Sequence, residues 1–327
     1  MKPSDEILKQ YRALTAGVGI AELAGRTIIA VTGSDRVSFL QSFTTNDVKK
    51  LVPGRGCEAF VTSSQGKSIG HVLIFCEPNQ FILETSPGQA EALIAHFNRY
   101  VITEDVQFVD RTTELREFLV AGEKSADLLS SQGVDRLSGL LEHTPATISG
   151  CSVTVRHVEY AGPQSFFIQV STNDAATVAG ALVAAGEVRC DGPSVESARI
   201  EAGFPLFGLD ITDDNLPQEV GRDAQAISFT KGCYLGQETV ARIDAIGHVN
   251  RLLVRLKIDS DRLPASGDSV LAGEQPVGHI TSASWSPRFS VPLALGYVRR
   301  NQAKAGAKIA TAAGPGEVID PSAAKSA

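Results

Sequence analysis

Thr27-Ile28-Ile29-Ala30-Val31 is a β-rich apolar run that Gly33 brings to an end, and it predicts a strand followed by a turn. Ser34 is placed to cap a helix carrying Val37, Leu40 and Phe43. After the turn at Val52-Pro53-Gly54, Cys57–Ser63 and Ser68–Cys76 read as two strands joined around Ser64-Gln65-Gly66. A third strand is expected at Phe81–Thr85, then a helix with Ala90, Leu93, Ile94, Phe97 and Val101 on one face. The plan then repeats. Arg116–Gly122 leads into a helix through Leu128-Leu129, and Ser152–Tyr160, the turn at Gly162-Pro163, Phe166–Val170 and the alanine-rich helix Ala175–Ala185 follow in the same order. Two similar α/β halves built on antiparallel hairpins are the economical reading, an α+β fold.

Gly192-Pro193 ends the second half, and Ser194 is placed to cap a helix that Gly203 terminates. Glu201 lies in its last turn, where the helix dipole disfavours a carboxylate by about 0.3–1 kcal/mol. It is there either for a ligand or as a solvated acid paired with a neighbour such as Arg199. Ile211–Asn215 reads as an exposed polar loop. From Arg251 the texture changes: Leu252–Ile258, Ser269–Leu271, Pro276–Ser284, Leu293–Val298 and Lys308–Ala310 are short β-type runs between glycines and prolines, the pattern of a small barrel or sandwich. These elements predict one domain over residues 1–248, a C-terminal barrel over 249–312 and a disordered tail over 313–327, rich in Ala, Gly, Pro and Ser.

Composition narrows the function classes. At 327 residues the chain can bury a sizeable core, and a net charge of −7 argues against general nucleic-acid binding. No run approaches the ~18 apolar residues of a membrane span, and Met1–Glu6 has no apolar core behind a basic start, so no secretory signal is expected. Cys57, Cys76, Cys151, Cys190 and Cys233 are odd in number and far apart, which predicts free thiols, a reducing cytoplasmic setting and no metal site held by this chain alone.

The densest chemistry is Lys231-Gly232-Cys233-Tyr234-Leu235-Gly236-Gln237-Glu238. Ser228-Phe229-Thr230 before it reads as the end of a strand, and Gln237 onward as a helix start with an acid in its first turn. A thiol there is either a small buried hydrophobe in an ordinary loop or a reactive thiolate tuned by Lys231 and the helix start. These eight residues resemble the KGCYxGQE signature of the YgfZ family, folate-binding relatives of the glycine cleavage system T protein, an aminomethyltransferase. Thr44–Val48, Arg199–Gly203, Gly278–Ser282 and Ser286-Pro287 resemble further segments of that superfamily.

The resemblance implies a T-protein-like fold, tetrahydrofolate or a derivative as ligand, and a role in assembly or repair of iron–sulfur enzymes. It places the pterin on Glu201 and the ligand's other end on Lys231, with Tyr234, Gln237 and Arg242 as further folate-site residues and Cys233 as the working thiol. The T protein's second hairpin resembles G-x-I-x-D-D-L-I, whose acidic pair includes the catalytic aspartate. Here Gly70 and His71 stand in those places. Glycine cannot transfer a proton, and a neutral imidazole does not stabilise a cation as a carboxylate does. His71 is otherwise an ordinary strand residue. Three functions stay open: a YgfZ-type folate protein, a folate-dependent aminomethyltransferase using another acid, and a non-catalytic folate-binding module.

Overall fold

A computed structural model describes residues 2–185 and 188–319. The first half runs α1 (Asp5–Ala16), β1 (Gly19–Glu22), β2 (Thr27–Thr32), α2 (Arg36–Phe43), β3 (Gly56–Thr62), β4 (Ser68–Cys76), β5 (Phe81–Thr85), α3 (Ala90–Asn98) and β6 (Gln107–Asp110). The second runs β7 (Leu115–Ala121), α4 (Ser125–Ser131), β8 (His143–Ile148), β9 (Cys151–Val158), β10 (Ser165–Ser171), α5 (Ala175–Ala184) and β11 (Val188–Arg189). A connecting layer follows, with α6 (Gly192–Ala202), α7 (Asp223–Ala226) and α8 (Gln237–Ile246). Strands β12 (Arg251–Ile258), β13 (Ser269–Ala272), β14 (Gln275–Ser286), β15 (Val291–Arg299), β16 (Lys308–Thr311) and β17 (Gly314–Ile319) close a barrel in the order β12-β15-β14-β13-β16-β17.

The duplicated plan is visible in the sheets. One has the order β3-β4-β5-β2-β6 and the other β8-β9-β10-β7-β1-β11. Four strands match one for one, β3-β4-β5-β2 with β8-β9-β10-β7, and beyond them the halves exchange a strand: β1, just before β2 in the chain, pairs with β7, and β6, just before β7, pairs with β2. A shared core fills the space between the sheets, with Leu73, Phe75 and Ile82 from one and Leu119, Ala121 and Phe167 from the other. The outer face of each sheet packs its own helices: Val72 and Ile74 lie with Leu93 and Phe97 of α3, and Val155 and Ile168 with Val178 and Leu182 of α5.

Several local expectations change. Ser34 does not cap α2; its hydroxyl donates to Asp105, and Asp35 holds the cap position. Helix α6 begins earlier than a Ser194 cap would have it, after Asp191 with Pro193 in its first turn, while Gly203 does close it in the left-handed region (φ 74°). Within Ile211–Asn215, Thr212, Asp213 and Asp214 are exposed as expected, but Ile211 and Asn215 are buried, with Ile211 joining the core between α6 and the barrel. Residues 228–230 form a turn instead of a strand. The disordered tail expected from residue 313 is corrected in part: Gly314–Ile319 is the strand that pairs with β12 and β16, whereas residues 320–327 lie outside the described set. Gly314 and Gly316 let this strand lie close against its neighbours, and Val318 joins the barrel core. Helix α1 went unanticipated, although Ser4, which caps it, and Ile7, Tyr11 and Leu14 at helical spacing were available as signals.

Candidate functional site

The motif loop is built mainly to hold itself in place. The Lys231 ammonium donates to the carbonyls of Gln41 (2.6 Å), Thr44 (2.6 Å) and Asn46 (2.8 Å), at the C-terminal end of α2. An ammonium has three N–H donors, so all of them are engaged on backbone carbonyls at and just past the end of α2. Burial pushes its pKa down to about 8, against the attraction of Asp47 and Cys57. Tyr234 is buried, with the Lys231 nitrogen 5.0 Å from its ring centroid, and burial raises its phenol to about 12.

Leu235 is pinned through both backbone groups, its N–H on Ser42 (2.9 Å) and its carbonyl on the Thr62 hydroxyl (2.6 Å). Gly236 sits at φ 83° so close to the hairpin turn that a Cβ there would lie 2.3 Å from the Ser63 carbonyl oxygen. The Gln237 N–H bonds to Tyr234 and opens α8. Only the middle of the loop is outside this scaffold. Gly232 and Cys233 are exposed, and so are Glu238 and Arg242.

Lys231 therefore has a different job from the one expected of it. Its donors are committed to the backbone, which leaves none for a glutamyl tail in this conformation. Of the remaining cysteines, burial raises Cys57 to about 12 and Cys190 to about 11, and Cys76 is raised for the same reason. Cys151 is half-buried; Cys233 is the exposed thiol of the five.

Glu201 is held where α1, α6 and the barrel meet. Tyr11 Oη donates to one carboxylate oxygen at 2.6 Å, and the Ser286 hydroxyl donates to the other. Burial raises the Glu201 pKa, opposed by these two hydroxyls and, less strongly, by the backbone N–H and guanidinium of Arg288. Arg199 is not its partner. That guanidinium is fully buried on Glu196, Asp210, the Phe204 carbonyl and Ser282. Asp210 in turn accepts from Thr281 (2.6 Å) and Ser282 (2.7 Å) of β14. The Arg199–Gly203, Gly278–Ser282 and Ser286-Pro287 segments, far apart in sequence, thus form one buried joint between α6 and the barrel. Tyr11, Asp210 and Ser286 were missed as site residues because no spacing along the chain links them. The partners of Glu201 and those of Lys231 share no residue, so the two anchors belong to separate networks.

Strand β4 decides the question raised by Gly70 and His71. Side chains alternate across a strand, and Gly70 shares its face with Val72 and Ile74, toward α3. A Cβ at Gly70 would lie 2.8 Å from Leu93 Cδ2. His71 points the other way, into the interior between the halves, its ring 5.1 Å from that of Phe60 and 6.0 Å from that of Phe204. Its Nε2 lies 2.7 Å from Glu58 Oε1, and Arg222 donates to both oxygens of the same carboxylate. Deeper still, Arg26 bonds Glu84 at 2.7 Å and Arg156 bonds it at 3.3 Å, all three fully enclosed. Glu117 beside them has its pKa raised well above the usual range by burial and by the Glu84 charge. Among the described residues no group of three His, Cys, Asp or Glu side chains converges as a metal site would require.

The profile of the GCVT N-terminal domain matches residues 2–231, and that of the glycine cleavage T-protein C-terminal barrel domain matches residues 251–323. The chain belongs to the glycine cleavage T-protein family. A chloroplastic protein of Arabidopsis thaliana, described provisionally as a transferase, is 27% identical over 297 residues, spanning 90% of this chain and 68% of that protein. An aminomethyltransferase of Symbiobacterium thermophilum is 26% identical over 306 residues, spanning 89% of this chain and 81% of the enzyme. The crystal structure of the glycine cleavage system aminomethyltransferase T from Bartonella henselae superposes with a TM-score of 0.85, covering 96% of this chain and 88% of that one at 21% identity. The two α/β halves and closed barrel of this T-protein-family chain are thus the fold of that structure. Among the described residues no helix is long and apolar enough to cross a membrane.

Proposed function

We propose that this T-protein-family chain binds tetrahydrofolate, is of YgfZ type, and supports assembly or repair of iron–sulfur enzymes through the Cys233 thiol without aminomethyl transfer. The observation that carries the reading is the division of labour in the motif loop. Lys231, Tyr234, Leu235 and Gly236 fasten it to α2 and to the β3–β4 hairpin, and the thiol is left exposed at its middle. A pinned loop that presents one thiol suits a group that must meet a partner protein. The iron–sulfur clients rest on the resemblance of the motif to YgfZ.

The residues present fit a folate. A carboxylate offers about four lone-pair sites, and the two hydroxyls on Glu201 leave acceptor capacity for the paired N–H donors of a pterin edge. Phe204, which directly follows the Gly203 cap of α6, and Tyr160, whose ring centroid lies 5.2 Å from that of Phe204, supply flat apolar surface. Residues that would hold the ligand are Glu201 at the pterin, with Tyr11 and Ser286 orienting it. Tyr234, Gln237 and Arg242 are placed with the motif loop and would act from that side.

Two measurements test this. Supplied with tetrahydrofolate and an aminomethyl-loaded carrier protein, the chain should form no methylenetetrahydrofolate; robust turnover refutes the reading and favours the alternative, a folate-dependent aminomethyltransferase, which the descriptions of the bacterial relatives support. In cells lacking the protein, iron–sulfur enzyme activity should be restored by the wild type and not by Cys233→Ser. Equal restoration would leave a folate-binding module with an inert thiol. Free thiols at all five cysteines suit the cytoplasm, and localisation of a tagged chain checks that placement.

A further inference from the structure

Glu58, His71 and Arg222 form a buried assembly that folate binding by Glu201 does not require. Its geometry fixes a proton. Arg222 donates to both Glu58 oxygens, so the carboxylate is an acceptor, and its pKa is held down to about 2 by Arg222 and His71 against burial. The 2.7 Å contact with His71 must then be Nε2–H donating to Oε1, which leaves Nδ1 with the lone pair whenever the ring carries a single proton.

Nδ1 has no hydrogen-bond partner among the described residues, and it is not among the side-chain atoms sealed from solvent without one. The ring borders a cavity of about 10 Å³, enough for one water, lined also by Arg26, Glu84, Thr85, Phe204 and Leu206. The Thr85 hydroxyl donates to the His71 carbonyl at 2.5 Å, which together with the Phe60 and Phe204 rings leaves the imidazole little freedom to turn.

We propose that His71 Nδ1 is the proton-exchanging group of the ligand site, with Glu58 and Arg222 as positioning residues that fix its tautomer. This rests on the folate reading. The Nδ1 lone pair takes a proton from an N–H or O–H of the bound reduced pterin, directly or through the cavity water. The donor's X–H bond breaks, an Nδ1–H bond forms, and Glu58 balances the imidazolium charge; the reverse step restores the ring. The charged groups that face the imidazole are Glu58 and Arg222 on one side and Arg26 and Glu84 across the cavity, with Glu159 beyond Arg222.

The test is nitrogen NMR of the imidazoles in the whole chain, with His71 assigned through His71→Gln, alongside calorimetry with tetrahydrofolate from about pH 5 to 8. The free protein should show the Nε2–H tautomer at His71, and its Nδ1 resonance should move on addition of tetrahydrofolate. Tetrahydrofolate affinity should depend on pH in the wild type and lose that dependence in His71→Gln. Glu58→Gln, which removes the carboxylate that Nε2–H faces, should weaken the preference for the Nε2–H tautomer at His71 while circular dichroism confirms the fold. An Nδ1–H tautomer in the free protein, or a bound complex in which Nδ1 does not move, overturns the proposal. Absence of tetrahydrofolate binding would instead refute the folate reading and the ligand assigned to Nδ1, while the tautomer and its change in Glu58→Gln still decide whether the dyad is built as argued.

Discussion

Replacing Gly70 by aspartate is the substitution that sequence comparison with the T protein invites, and the structure predicts that it damages the fold and creates no transferase. The new Cβ would stand 2.8 Å from Leu93 Cδ2, beneath α3. Overpacking of this kind costs about 1–3 kcal/mol, the lower part of the range where a flexible leucine end can move aside. The carboxylate then sits among Val72, Ile74, Leu93 and Phe97, each almost fully buried. The described cluster around that face is apolar, and a buried unpaired charge costs several kcal/mol more unless it takes up a proton.

Together these approach roughly half of a typical domain stability of about 5–15 kcal/mol. Gly70→Ala separates the parts, because it carries the steric cost alone. Urea denaturation of wild type, Gly70→Ala and Gly70→Asp should rank them in that order, with the larger step at aspartate and an aspartate form that regains stability on acidification as its carboxyl is neutralised. A Gly70→Asp protein as stable as the wild type, or one that forms methylenetetrahydrofolate, would show that position 70 reaches the interior and refute the assignment of the two strand faces.

Glu201→Gln should weaken tetrahydrofolate binding by about 5- to 150-fold, since one acceptor becomes a donor facing the pterin and about 1–3 kcal/mol is lost; equal affinities by calorimetry would remove Glu201 from the site. Mass-resolved alkylation near neutral pH should label Cys233 ahead of Cys57, Cys76, Cys151 and Cys190, and faster labelling of half-buried Cys57 would contradict the structure of the loop. Acid should expose the Glu58 assembly. Its carboxyl falls from an ordinary 4.5 to about 2 in the fold, so the unfolded chain takes up the proton first as pH drops. That contribution, about 3 kcal/mol, is whole above the unfolded value and lost as pH falls through the folded one. Glu58→Gln should flatten the stability–pH curve over that interval, and an unchanged curve would show that Glu58 is not held as described.

Much of this protein was determined by its sequence alone. Alternating and helical hydrophobic spacing is local, so β2 to α3, the repeat from β7 to α5 apart from β8, and the change to short barrel strands after Arg251 could be read directly. Eight adjacent residues of mixed chemistry, from Lys231 to Glu238, marked the loop with the exposed thiol. What each residue does was decided only by tertiary structure, because hydrogen-bond partners are set by proximity in space. Lys231 caps a helix nearly two hundred positions earlier. Glu201 is oriented by Tyr11 from one end of the chain and Ser286 from near the other. The exchange of β1 and β6 between sheets leaves no periodic signal, since spacing along a strand does not say which sheet it joins. Gly70 and His71 are adjacent in the chain, yet the pleat of β4 sends one beneath α3 and the other into the interior beside Glu58.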